Sequence, residues 1–284
     1  MKISMIIATI NRIDEIDQLL ESISKLNYNL SKIEVIIVDQ NKNNCLKKII
    51  DKYVQLNLKH ITSDVKGLSL NRNKGIKLAT GDIICFPDDD CQFLENTIKN
   101  VVENFEKNPE ISVFLGKIID ENGRDCIRKW PNKIEKIKLK NFYLRNTSIT
   151  LFKKNSNINK YYDENFGVGS IYGACEDADL LYRILKKGAL VEYNPNIILY
   201  HPSPKGVITK EKSYCYGIGF GAFCKKNRDF NINILFVKSL CWFIIRWLVH
   251  IVTLDFNTAK IMFYGMKGRV KGYAIYKNEK RRYD

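Results

Sequence analysis

Apolar positions in the first ninety residues fall into short unbroken runs. Between the runs they recur every three or four positions. Lys2–Ala8, Glu34–Asp39, Leu58–Ile61 and Asp82–Phe86 read as strands, and Ile13–Lys25, Cys45–Leu56 and Ser69–Ala79 read as helices. Continuous apolar strands alternating with helices predict an α/β fold with a sheet covered on both faces. Such sheets bind ligands beyond the carboxyl ends of their strands. The residues to inspect are therefore those that follow each strand: Thr9, Asn11 and Arg12; Asp39, Gln40 and Asn41; and Asp88, Asp89 and Asp90.

The middle of the chain is less regular. Ser112–Ile119 and Thr147–Phe152 read as strands, with a stretch rich in Lys, Asn and turn residues between them. Glu176–Lys187 predicts a helix with an apolar stripe of Leu180, Leu181, Ile184 and Leu185, ended by Gly188. The most hydrophobic stretch, Ile234–Leu254, has the length of a membrane span. Yet Lys238, Trp242, Arg246 and His250 recur every fourth position, with Ser239 and Thr253 in the same sector. One polar stripe on an apolar helix favours lying in a membrane interface or against the protein over crossing a bilayer. The opening MKISMIIATINR has too short an apolar run for a secretory signal and no small-residue cleavage site. It reads as a buried first strand, with the chain expected to stay in the cytoplasm.

Composition adds three constraints. At 284 residues the chain can bury a sizeable core. The eight cysteines form no CxxC pair, which argues against structural zinc and for reduced thiols. The net charge of +15 is uneven: from Pro202 to Asp284 there are sixteen Lys/Arg against five Asp/Glu. That asymmetry points to an anionic partner near this end, whether membrane lipid, a phosphorylated acceptor or nucleic acid.

Three adjacent carboxylates, Asp88–Asp90, repel one another unless a cation sits among them. Hard divalent cations prefer such oxygens and bridge them to phosphates, although a solvated acidic turn has the same sequence. The segment Gly67–Gly75 ends a loop and opens a helix, so Arg72 can meet an anionic or polar ligand. Glu176, Asp177 and Asp179 are acids of a first helical turn, a place the helix dipole favours with or without catalysis.

Together the stretches SMIIATINR, EVIIVDQN, GLSLNRNKGIKLATGDIICFPDDD and DENFGVGSIYGACEDADLLYRILKKG resemble, in order and spacing, the family 2 glycosyltransferases of the GT-A fold. The resemblance covers roughly residues 2–205. It implies a Rossmann-like nucleotide-binding half with a mixed sheet and an acceptor half carrying the Glu176–Asp177 helix. Residues 206–284 form a C-terminal helical, basic region expected to associate with membrane. By resemblance, Asp39 recognises the donor base, and Thr9, Asn11 and Arg12 line the nucleotide pocket. Asp88 and Asp90 are the outer acids of a DxD motif, with Asp90 nearest a Mn²⁺ or Mg²⁺ ion and Asp89 close to the ribose or donor sugar. Asp177 is the catalytic base, with Glu176 the alternative. His201 matches a family histidine that can reach the metal or pyrophosphate. The implied reaction is inverting transfer from a nucleotide sugar to a glycan of the bacterial surface, with no nucleic-acid partner. The basic, amphipathic C-terminus fits a lipid-linked glycan acceptor at the inner face of the plasma membrane.

Some positions depart from the family pattern. Ala8-Thr9-Ile10-Asn11 stands where many relatives have Pro-Thr-Tyr-Asn, Asp39-Gln40-Asn41 replaces a double acid and glycine, and Cys175 replaces the Gly before the ED pair. Two rival readings remain. A sugar nucleotidyltransferase needs a Gly-rich phosphate loop after the first strand, where this chain has ATINRIDE. A non-enzymatic basic module binding membrane or polyanions accounts for the charge but leaves the acidic motifs unused.

Overall fold

The computed structural model describes residues 1–156, 158, 160–203, 206 and 208–277. Along the chain, β1 (Ile3–Thr9), α1 (Ile13–Ser24), β2 (Ile33–Asp39), α2 (Lys47–Lys52), β3 (Asn57–Thr62), α3 (Leu68–Leu78) and β4 (Ile83–Cys85) come first. Then follow β5 (Gln92–Phe93), α4 (Thr97–Lys107), β6 (Val113–Ile119), β7 (Glu135–Ile137), β8 (Leu151–Lys154), α5 (Glu176–Lys186) and β9 (Val191–Tyr200). Among the described residues three further helices follow: α6 (Lys210–Lys226), α7 (Phe230–Val252) and α8 (Phe256–Ile275). They fall into two compact units. The first comprises Met1–Lys66, Leu70–Tyr161 and Arg183–Pro204, and the second Gly67–Ser69, Tyr162–Tyr182 and Lys205–Asp284.

The first unit is built on a nine-stranded sheet of order β3-β2-β1-β4-β8-β6-β9-β5, with β7 also paired to β9. β3, β2, β1 and β4 run parallel; β8 enters antiparallel between β4 and β6, so the sheet is mixed. Every residue of β2 is buried, as an unbroken apolar run covered on both faces requires. α1 contributes Ile16, Leu19, Leu20 and Ile23 to the core. α3 comes so close to β1 that a Cβ on Gly75 would strike Ile6, and glycine is what permits that approach. Of the two acids in β2, Glu34 is held by Ser4, by Lys59 at 2.6 Å and by the backbone and hydroxyl of Thr80 at 2.9 Å. Burial alone would raise its carboxyl; these donors outweigh burial and hold it at about 2.

The second unit is helical. α6 and α8 touch backbone to backbone: Gly217 and Gly221 face Gly265, Gly268 and Arg269, while Gly272 faces Ile218. Small residues on both sides allow this contact, as in tightly crossed helix pairs. Arg269 fills the remaining gap, lying 3.7 Å from the Phe243 ring centre and donating to Ser239 Oγ at 2.7 Å. α7 covers the predicted apolar stretch up to Val252 and is apolar enough to span a membrane, and no residue of its most apolar window is buried. Its predicted polar stripe divides. Lys238, Trp242 and Arg246 are exposed, whereas Ser239 and His250 are half-buried because α8 packs against that side. At the far end of α6, Lys226 is buried between Asp163 and Asp179, and Asn227 Nδ2 also donates to Asp179 at 2.9 Å.

Candidate active site

In the first unit the carboxyl ends of β1 and β4 bring most of the predicted donor residues together. Thr9, the last residue of β1, donates its hydroxyl to Asp89 Oδ2 at 2.7 Å. Burial, with the charges of Asp90 and Asp88, pushes Asp89 up to about 6 against the opposing Thr9 bond and Arg12. Arg72, on α3 and only 1% exposed, donates to Asp88 Oδ1 at 2.6 Å and to Ser148 Oγ at 3.2 Å. Arg12 reaches Asp90 at 3.5 Å and Glu15 at 2.6 Å.

His201 joins this cluster through the shortest strand in the sheet. β5 pairs antiparallel with β9 so that Gln92 faces Tyr200, which brings the segment just before Gln92 alongside the segment just after Tyr200. His201 Nε2 lies 3.3 Å from Asp90 Oδ1, and His201 Nδ1 lies 2.7 Å from the Pro202 carbonyl oxygen. A carbonyl only accepts, so Nδ1 carries a hydrogen and neutral His201 directs a bare Nε2 at a carboxylate. Two acceptors face each other there. Either a proton or a cation resolves that conflict. Ligand atoms of Asp88, Asp90 and His201 all lie within 4.8 Å of one another and are half-buried, so the donor set fits a divalent ion that takes oxygen and imidazole. The carboxylate raises His201 against the opposing effect of burial, and the hydrogen bond from His201 lowers Asp90.

Asp39 ends β2 and is buried, but not among these acids. Its Oδ1 accepts from the backbone N–H of Asn41 at 2.8 Å and from Asn41 Nδ2 at 2.7 Å; its Oδ2 lies 3.0 Å from His60 Nε2. Asn11 joins the same group, with its backbone N–H donating to Asn41 Oδ1 at 2.8 Å from a left-handed conformation, φ 57°. Asn tolerates that conformation better than most residues.

Glu176 and Asp177 belong to the second unit, at the N-terminus of α5, and both are half-buried. Asp177 Oδ1 accepts from the backbone of Ala178 at 2.7 Å. Cys175, just before them, has φ 69°, which explains why a glycine suits that place. The loop leading in is tied to Gly67–Ser69: Leu68 N–H donates to Val168 O at 3.0 Å and Ser69 Oγ to Phe166 O at 2.6 Å. Asp179, the third acid of that turn, is occupied by Lys226 and Asn227. Sequence reasoning missed Ser148, His60 and Lys226, and marked Asn41 only by its place after β2. Only His60 left a signal: it lies on β3 with the same parity as Asp39, since Ile37 pairs with His60 and Asp39 with Thr62.

Residues 4–167 match the family model for Glycosyl transferase family 2. The chain belongs to this family. As a family 2 glycosyltransferase it is similar to a poly(ribitol-phosphate) beta-N-acetylglucosaminyltransferase, TarS, of Staphylococcus aureus. The two are 31% identical over 127 residues, 44% of this chain and 22% of TarS. It also resembles a GalNAc(5)-diNAcBac-PP-undecaprenol beta-1,3-glucosyltransferase of Campylobacter jejuni, 25% identical over 175 residues, 58% of this chain and 56% of that protein. The crystal structure of TarS residues 1–349 with UDP-GlcNAc superposes with a TM-score of 0.66 at 17% identity, covering 98% of this chain and 93% of that one. A mannosyltransferase of Pyrobaculum calidifontis, solved with GDP-Man and Mn²⁺, also gives 0.66 at 13% identity, covering 95% and 86%. These likenesses establish the GT-A fold expected from the sequence.

Proposed function

We propose that this chain transfers a hexosyl group from a nucleotide sugar to an acceptor hydroxyl with inversion at the anomeric carbon. The observation that carries the proposal is the convergence of Asp88, Asp90 and His201. These residues would hold Mn²⁺ or Mg²⁺, which when bound neutralises the charge on the leaving nucleoside diphosphate. Arg72 holds Asp88, and Thr9 holds Asp89 for the ribose or donor sugar. Arg12 and Asn11 line the nucleotide pocket, and Asp39 meets the base. Asp177, with Glu176 the alternative, removes the acceptor hydroxyl's proton as that oxygen attacks. The Campylobacter relative's name describes a polyprenyl-linked acceptor, which supports a glycan or lipid-linked glycan of the bacterial surface as this enzyme's acceptor. Between Phe230 and Lys277 there are seven Lys/Arg and a single acid, Asp255, beside an apolar helix with no buried residue in its most apolar window. That combination supports peripheral binding to the anionic inner leaflet, on the cytoplasmic side.

The test is a thermal-shift screen of UDP, GDP, CMP and dTDP with Mn²⁺, Mg²⁺ or EDTA. A metal-dependent rise with one nucleotide, lost in Asp90→Ala, is expected. Folded protein that responds to no nucleotide would sink the proposal.

A further inference from the structure

We infer that His60 is a positioning residue for the donor base, acting through Asp39 with Asn41 as its partner. The inference rests on the donor-site reading above. Asp39 has 1% of its side chain exposed and cannot swing towards a ligand, so the lone pair it offers is set by the groups that hold it. Three N–H groups do so: two from Asn41 on Oδ1 and one from His60 on Oδ2. Because a carboxylate only accepts, His60 Nε2 must carry the hydrogen. The pairing spans neighbouring strands, with His60 on β3 and Asp39 at the end of β2. Asn41 extends it to the chain after β1 by accepting from Asn11 N–H. One buried carboxylate thus joins β2 to β3 and to the chain just after β1.

The count of lone pairs has a chemical consequence. A carboxylate has about four acceptor positions, and three are taken, both on Oδ1 and one on Oδ2. One position remains, on Oδ2. It suits a base that presents a single N–H at its pairing edge, as uracil and thymine do. Guanine presents two adjacent donors and needs an acceptor on each oxygen. His60 and Asn41 therefore hold Asp39 in a state that favours uridine or thymidine diphosphates over guanosine diphosphate.

The test is calorimetric titration of the full chain with UDP, GDP and inorganic pyrophosphate, each with Mn²⁺. Wild type is expected to bind UDP more tightly than GDP. His60→Phe, which keeps a ring but loses the donor, is expected to weaken UDP about 5- to 20-fold, the scale of one charge-assisted hydrogen bond. It should leave pyrophosphate within about twofold, because pyrophosphate does not touch Asp39. His60→Gln, which restores an N–H, is expected to recover most of the loss. Should His60→Phe fail to fold, Asn41→Ala takes its place, with the same weakening of UDP alone expected. UDP binding unchanged in these variants, an equal loss of pyrophosphate, or tighter binding of GDP by wild type would each overturn the inference. Wild-type protein that binds pyrophosphate but no nucleotide would overturn the donor-base reading itself.

Discussion

Lys226 places its ammonium 2.7 Å from Asp179 and 2.6 Å from Asp163, with 2% of its side chain exposed. A cation so placed satisfies two buried carboxylates and ties α6 to the first turn of α5. Removing it takes the ammonium away from two buried carboxylates. Lys226→Met is expected to cost about 3–5 kcal/mol, read as a fall in the urea midpoint with an unchanged slope.

The approach of His201 Nε2 to 3.3 Å from Asp90 predicts a defined metal phenotype. His201→Ala should weaken Mn²⁺ affinity about 10- to 100-fold, since losing a group that only orients a metal ligand already reaches that size. Manganese-dependent stabilisation is the measurement. An undiminished response in the variant would remove His201 from the ligand set.

Asp89 carries a cost that depends on pH. Its folded-state value of about 6 lies above the ordinary 3.8, so the ionised form is disfavoured by folding. The penalty is fully present above pH 6 and disappears below about 4. In EDTA, Asp89→Asn should therefore stabilise the protein at pH 7.5, by about 1–2 kcal/mol, and the gain should vanish towards pH 4. Melting curves across that range test the sign. Donor turnover should fall in the same variant.

Glu34 has the opposite sign. With a folded value of about 2 against 4.5, it contributes stability that is fully present above the unfolded value. That contribution is lost as pH falls from about 4.5 towards 2. Glu34→Gln should cost about 2 kcal/mol at neutral pH, and the difference from wild type should narrow through that window. Equal stability of the two proteins at pH 7 would show that its donors offset no more than its burial.

The elements legible in the sequence are those whose own side chains make the core. β1, β2 and α1 announce themselves because burial on one or both faces writes a period into the chain. α6 and α8 do not, because glycines press their backbones together and leave no apolar stripe to read. β5 and β7, of two and three residues, are too short to carry a pattern, and the predicted Thr147–Phe152 strand begins only at Leu151, after a 3₁₀ turn. The predicted Cys45–Leu56 helix shrinks to Lys47–Lys52. In the site, Asp88–Asp90 and Glu176–Asp177 were readable from their neighbours in sequence. The meeting of Asp90 with His201 was legible only through the family resemblance, since it depends on strand pairing between distant segments.

The two-residue ladder of β5 against β9 is what holds Asp90 and His201 within reach of each other. So small a ladder opens easily on its own, and opening it separates two ligands of one candidate cation site. Cation binding and the closing of this edge are then a single linked equilibrium. Amide hydrogens around Gln92 and Tyr200 should exchange with solvent quickly in EDTA and slowly in Mn²⁺, making the edge of the sheet a gauge of occupancy at its centre.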